Sequence, residues 1–187
     1  GFNREIAEKV ISFIEKENFD CCWNLYSGDN WIVKDKSDER VITEENIVKT
    51  EAVSGSVESL SIDAKIGKIL CICNPDKTDE IEDKIKKNFP DLSVVKSFHT
   101  MIEIMAPGIT KGSAVLELCR LWNIDVKRAA AFGDNFNDVE MLEEVGFPFL
   151  MENAPAELKR RFTNITDSNN DEGIYKALVK MGAISPK

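Results

Sequence analysis

The amino-acid sequence predicts an α/β protein in two parts, with a boundary near Ala106. Three observations carry that prediction. From Ala106-Pro107-Gly108 onward the apolar pattern alternates helix, strand, helix, strand with short connections, the arrangement that builds a parallel sheet with crossover helices. Ahead of it strand patterns cluster, and two of them flank Ser27-Gly28-Asp29-Asn30, which predicts an antiparallel hairpin. The 187 residues, 43% hydrophobic and 30% charged, suffice for one large or two small globular domains.

In the first part, Ile6, Val10, Phe13 and Ile14 recur at helical spacing and predict a helix from Asn3 to Asn18. Phe19 to Tyr26 and Trp31 to Val33 are the hairpin strands. Trp23, Tyr26 and Trp31 fit sheet packing first and a substrate-facing wall second. Residues 35–53 are charged and poorly patterned, with a short helix near Thr43 to Val48. Lys68 to Cys73 reads as a buried strand closed by Asn74-Pro75. Thr78 can cap a helix through Phe89 whose buried stripe is Ile81, Ile85 and Phe89, with Asp79 and Glu80 in its first turn and lysines towards its end. Leu92 to Phe98 and Met101 to Met105 follow as strands. His99 falls in the turn between them and is assigned no role.

In the second part, Thr110 can cap a helix from Lys111 to Trp122. Arg128 to Phe132 is the central strand. Asp138 to Val145 is a helix with Val139, Leu142 and Val145 inward. Phe147 to Met151 and Asn164 to Thr166 are strands, separated by a helix from Pro155 to Arg161; Ile174 to Met181 closes the pattern.

A net charge of -9 argues against a nucleic-acid or anionic-membrane partner, and no apolar run is long enough to span a bilayer. The five cysteines form no Cys-x-x-Cys pair, which leaves little support for zinc and fits a reducing cytoplasm.

The chemistry concentrates in Gly133-Asp134-Asn135-Phe136-Asn137-Asp138, which follows the apolar strand. An EF-hand calcium loop started at Asp134 fails, because its third, sixth and twelfth positions are Phe136, Val139 and Val145. A loop started at Asp167 fails at Glu172 and Leu178, so that segment is an Asx-rich turn. Two readings of Asp134 to Asp138 stay open on the pattern alone. One is a polar loop that caps the next helix, the other a magnesium site, since hard cations take carboxylate oxygens and keep waters besides.

The wider pattern resembles a known family. Gly133-Asp134-x-x-Asn137-Asp138 is similar to the fourth motif of the haloacid dehalogenase-like phosphatases. Pro107-Gly108-Ile109-Thr110-Lys111-Gly112 is similar to the third motif of their Cof-type branch. Met141-Leu142, Asn153-Ala154-Pro155 and Asn169-x-x-Glu172-Gly173 continue the match in order, and Tyr26-Ser27-Gly28-Asp29-x-Trp31 resembles that branch's cap domain. The resemblance implies an incomplete Rossmann-like parallel-sheet core over 107–187 and an α+β cap domain over 1–106. It implies a magnesium-dependent phosphomonoester hydrolase of small phosphorylated metabolites that works through an aspartyl-phosphate. By position, Asp134 and Asp138 would serve the metal, Asn137 and Lys111 the transferring phosphoryl group, and Lys111 would support catalysis.

One departure stands against these matches. The family's nucleophile lies in an Asp-x-Asp motif at the end of the first core strand, and this chain contains no such pair. The resemblance therefore implies that the nucleophile-bearing segment precedes Gly1. The chain alone is then expected to be inactive and to self-associate through its incomplete core. The alternative is a non-catalytic module that binds phosphorylated ligands or a partner protein.

Overall fold

The computed structural model describes residues 1–186, which divide into two compact units, 1–108 and 109–186.

The first unit is built on a six-stranded sheet. Strand β1 (Phe2–Asn3) leads into helix α1 (Arg4–Lys16), capped by Asn3, whose Oδ1 accepts from the Ile6 N–H at 3.1 Å. Strands β2 (Cys21–Ser27) and β3 (Asn30–Val33) form the expected hairpin, with Ser27 opposite Asn30 and Gly28 at φ 56° in the turn. Helix α2 (Glu39–Val48) starts a turn earlier than its apolar pattern indicates, because the Asp38 carboxylate accepts from the Arg40 N–H at 2.9 Å. The two-residue strands β4 (Val53–Ser54) and β5 (Lys65–Ile66) carry no sequence periodicity; β5 pairs with β1. Strand β6 (Lys68–Cys73) is followed by helix α3 (Thr78–Asn88). Thr78 is the first helical residue, not the cap: its hydroxyl donates to the Asn74 carbonyl at 3.1 Å. The Asn74 side chain meanwhile accepts from the Asp76 N–H, turning the chain into the helix early. Strands β7 (Ser93–Phe98) and β8 (Met101–Met105) complete the sheet, in the order β4-β3-β2-β6-β8-β7.

Alternation along these strands sorts their side chains onto two faces. Leu25, Ile69, Ile102 and Ile104 meet Val10 and Ile14 of α1 and Ile81 and Ile85 of α3 in one core. Trp31, Val33 and Ala52 form a smaller cluster with Val41 of α2. Trp23 and Trp31 are buried and each indole is bound, Trp23 Nε1 to Glu15 Oε1 at 3.2 Å and Trp31 Nε1 to Asn24 Oδ1 at 3.0 Å. Their place is therefore sheet packing; Tyr26, stacked on Trp31 at 5.6 Å, stays half-buried.

The second unit opens with helix α4 (Lys111–Leu121). Thr110 caps it, its Oγ1 accepting from the Ser113 N–H at 2.9 Å while the Ser113 hydroxyl accepts from the Thr110 N–H at 2.9 Å. A 3₁₀ turn at Val126–Arg128, capped by Asp125, delays strand β9 to Ala130–Gly133. Helix α5 (Val139–Glu144), strand β10 (Phe147–Met151), helix α6 (Ala156–Arg161), strand β11 (Ile165–Thr166) and helix α7 (Gly173–Lys180) follow. The sheet order is β11-β10-β9, all parallel, as the alternating pattern requires. Its core joins Ala131, Leu142, Val145, Leu150, Ala154 and Leu158. Leu142 and Leu150 are fully buried, each contributing roughly 1.5–3 kcal/mol.

This core is small, and apolar surface remains around it. Among the described strands β9 pairs only with β10, so its other edge is open. Phe147 is 46% exposed, and Leu118 and Leu121 of α4 form an exposed stripe with Trp122 just past its end, with Trp122 at 67%.

Candidate active site

In an open parallel sheet the carboxyl ends of the strands converge on one edge, and loops leaving that edge carry the polar groups. The loop after β9 runs through Asp134 and Asn135 into a 3₁₀ turn at Phe136–Asp138, then α5. This turn brings Asp138 back over the end of β9. A Cβ placed on Gly133 would lie 2.4 Å from Asp138 Cβ, so only glycine admits that return.

Asp138 is 3% exposed. Burying a carboxylate is costly unless it is paired and hydrogen-bonded, and here both oxygens are answered. Oδ2 accepts from the backbone N–H of Asp134 at 2.9 Å and of Asn135 at 3.0 Å. Oδ1 accepts from the Lys111 ammonium. Lys111 is placed for this by the Thr110 cap, which fixes the start of α4, and its side chain remains about half exposed (49%).

Asp134 lies beside that clamp and is held from the other side. Its Oδ2 accepts from Asn153 Nδ2 at 2.6 Å, and Asn153 Oδ1 accepts from the Asn169 N–H at 3.0 Å. Asn153 follows β10 and Asn169 follows β11, so one relay joins the loops after all three parallel strands. At its far end Glu172 enters α7 in the left-handed region at φ 57°. Asn137 adds a further polar group: its Oδ1 is buried and has no hydrogen-bond partner. An unanswered buried acceptor carries a desolvation cost, and a donor brought by a ligand would remove it.

The structure thus brings Lys111, Asp134, Asn137 and Asp138 together at one edge of the sheet. Asn153 and Asn169 fell within motifs matched in the sequence but were given no role there; their contacts, 19 and 16 residues apart, are set by the fold. Among the described residues no group of three or more His, Cys, Asp or Glu side chains gathers as a metal cluster. Magnesium does not require one, since it takes one or two carboxylates with several waters and substrate phosphate. His99 sits in the β7–β8 turn against the Phe98 ring, away from this loop in the sequence and in the other unit.

Comparison with known proteins agrees with this architecture. A Haemophilus influenzae protein provisionally named a phosphatase is 36% identical over 152 residues, 81% of this chain and 56% of its own length. The 5-amino-6-(5-phospho-D-ribitylamino)uracil phosphatase YbjI of Escherichia coli is 33% identical over 109 residues, 56% of this chain and 40% of its own. The chain thus spans about half the length of the curated relatives it matches. The crystal structure of SMU.1108c from Streptococcus mutans shares the fold, with a TM-score of 0.84 at 24% identity over 97% of this chain and 68% of that one. No described helix is long and apolar enough to cross a membrane. The family defined as haloacid dehalogenase-like hydrolases matches residues 1–178, and the chain belongs to that family, in its Cof-type branch.

Proposed function

We propose that this chain is part of a magnesium-dependent phosphomonoester hydrolase acting on small phosphorylated metabolites through an aspartyl-phosphate. The observation that carries the proposal is the convergence of Lys111, Asp134 and Asp138 at the carboxyl edge of the parallel sheet. In this reading Asp134 is the metal ligand, and Asp138 is the further carboxylate that supports it. Magnesium, when bound, neutralises charge on the phosphoryl oxygens. The chain's own residues hold and orient the phosphoryl group. Asp138 holds the Lys111 ammonium at a fixed point, where it can meet a phosphoryl oxygen. Asn137 offers a side-chain amide for the same group, and Asn153 orients Asp134.

The attacking aspartate is assigned to residues outside 1–187, since no Asp-x-Asp pair is present within them. The first unit is assigned as the substrate-selecting cap, and the site of action as the cytoplasm. The relative named for a phosphorylated ribitylaminouracil supports a small, polar, phosphorylated substrate.

The test is phosphate release from p-nitrophenyl phosphate. Residues 1–187 alone are expected to show no steady turnover. The protein that includes the residues encoded ahead of Gly1 is expected to turn over with magnesium and to stop with EDTA. Turnover by the chain alone would overturn the assignment of the nucleophile. An upstream sequence without Asp-x-Asp, together with tight binding of phosphorylated ligands, would establish the non-catalytic module instead.

The open edge of β9 and the stripe Leu118, Leu121 and Trp122 support self-association of residues 1–187. Sedimentation velocity is expected to show dimers or larger species that grow with concentration. A monomer throughout the micromolar range would refute this.

A further inference from the structure

We infer that Cys21 and Cys73 are a peroxide-sensitive dithiol, a site of reversible oxidation in the first unit that the hydrolytic chemistry does not use. The inference begins with strand register. Cys21 of β2 lies directly opposite Cys73 of β6. One position further out, the Asn74 N–H donates to the Asp20 carbonyl at 3.0 Å, so residues 20 and 74 are the hydrogen-bonded pair and residues 21 and 73 the non-hydrogen-bonded one. Side chains approach most closely at such pairs, whose Cα atoms lie about 4.5 Å apart. That falls inside the roughly 4.4–6.8 Å that a disulfide spans. Cys71 lies on the same face but opposes Trp23. It is thus a diagonal neighbour of Cys21, at about 7–8 Å, beyond comfortable bridging distance.

The surroundings give the two sulfurs different roles. The neighbouring thiols of Cys71 and Cys73 favour a negative Cys21 sulfur, and the Arg40 guanidinium adds a favourable charge that Asp20 partly opposes; the Cys73 thiol itself donates to the Cys71 carbonyl at 3.7 Å. These neighbours lower the Cys21 thiol from its ordinary range, and Cys21 is also the more exposed of the pair, which assigns it the nucleophile's role. The proximity of Cys21 and burial push Cys71 and Cys73 up. Cys22, one residue along and turned to the other face, is pushed up to about 11 by burial and by the Asp38 carboxylate. Cys21 is partly exposed, and Cys73 is buried beside it at 3% exposure. Cys21 is half-buried and lines a cavity of about 100 Å³ with Lys34 and Asp35. Cys73 lines one of about 650 Å³ with Arg40, Asn74 and Met101. All five cysteines are free.

The chemistry balances with a hydroperoxide as the oxidant. The Cys21 thiolate attacks one peroxide oxygen; an S–O bond forms, the O–O bond breaks, and the departing oxygen leaves as hydroxide, which is protonated to water. The Cys73 sulfur then attacks Cys21 Sγ. An S–S bond forms, the S–O bond breaks, and water leaves with the Cys73 proton. Two thiols are oxidised while one hydrogen peroxide is reduced to two waters.

The test treats the folded chain with hydrogen peroxide, blocks remaining thiols with N-ethylmaleimide and maps peptides without reduction. The expected product is an intramolecular Cys21–Cys73 bridge, two hydrogens lighter than the dithiol and restored by dithiothreitol. Cys21 is expected to oxidise about ten-fold faster than Cys22, with the difference lost in guanidinium. In the Cys73→Ser protein, Cys21 is expected to stop at a sulfenic acid that dimedone traps. Equal rates at Cys21 and Cys22 in the folded wild-type chain would overturn the inference. So would a bridge from Cys21 to Cys71, to Cys22 or to a second chain.

Discussion

Asp134→Asn, made in a protein that carries the nucleophile-bearing segment, is expected to lower magnesium-dependent phosphate release by about 10²–10³-fold, the scale of losing one charged group aimed at a transferring oxygen. The substitution is close to isosteric. The new amide can turn its oxygen towards Asn153 Nδ2, so the hydrogen bond now 2.6 Å long has an acceptor to keep. Asp138 and its bonds to the loop amides are untouched. Fold and melting temperature therefore change little, and the lost quantity is the negative charge. Raising magnesium should recover part of the rate while the KM for substrate stays near wild type. A variant with full activity at ordinary magnesium would remove Asp134 from the metal site.

Gly133→Ala is expected to destabilise the second unit by about 1–3 kcal/mol and to abolish phosphate release with it. The added methyl would stand 2.4 Å from Asp138 Cβ, 2.9 Å from its Cγ and 3.0 Å from Oδ2. Asp138 cannot step aside cheaply. Moving it breaks two backbone bonds and the Lys111 pair, and leaves a buried carboxylate without partners. Gly67→Ala is the matched control, since its Cβ would meet only the Tyr26 carbonyl at 3.6 Å, an ordinary contact. Thermal melting of the two variants side by side decides the matter. Equal melting temperatures would mean that the Gly133 turn is not packed as described.

What the sequence disclosed was set by the range over which each interaction acts. Helix α1 was legible from its apolar stripe and α4 from the capping side chain of Thr110, signals that lie within a few residues of each helix start. Strand β6 was legible as an unbroken apolar run, buried from Ile69 to Cys73. The strands β4 and β5 were not, being two residues long and defined only by partners elsewhere. At the site, Asp134 and Asp138 could be chosen as carboxylates at a strand end, but their separate environments could not. Whether an acid faces a cation, a helix start or a lysine depends on how the turn at Gly133 closes. The pairing of Asp138 with Lys111, 27 residues away, follows from that closure and from the packing of α4 against α5.

The relay from Asn169 through Asn153 to Asp134 bears on the entropy of ligand capture. Three loops that would otherwise fluctuate independently are tied to one another before anything binds. Their conformational freedom is lost when the second unit folds, so association does not have to remove it again. In its proposed role as metal ligand, the Asp134 carboxylate would meet a cation already oriented, and the free energy of that encounter would go into coordination and not into ordering the chain.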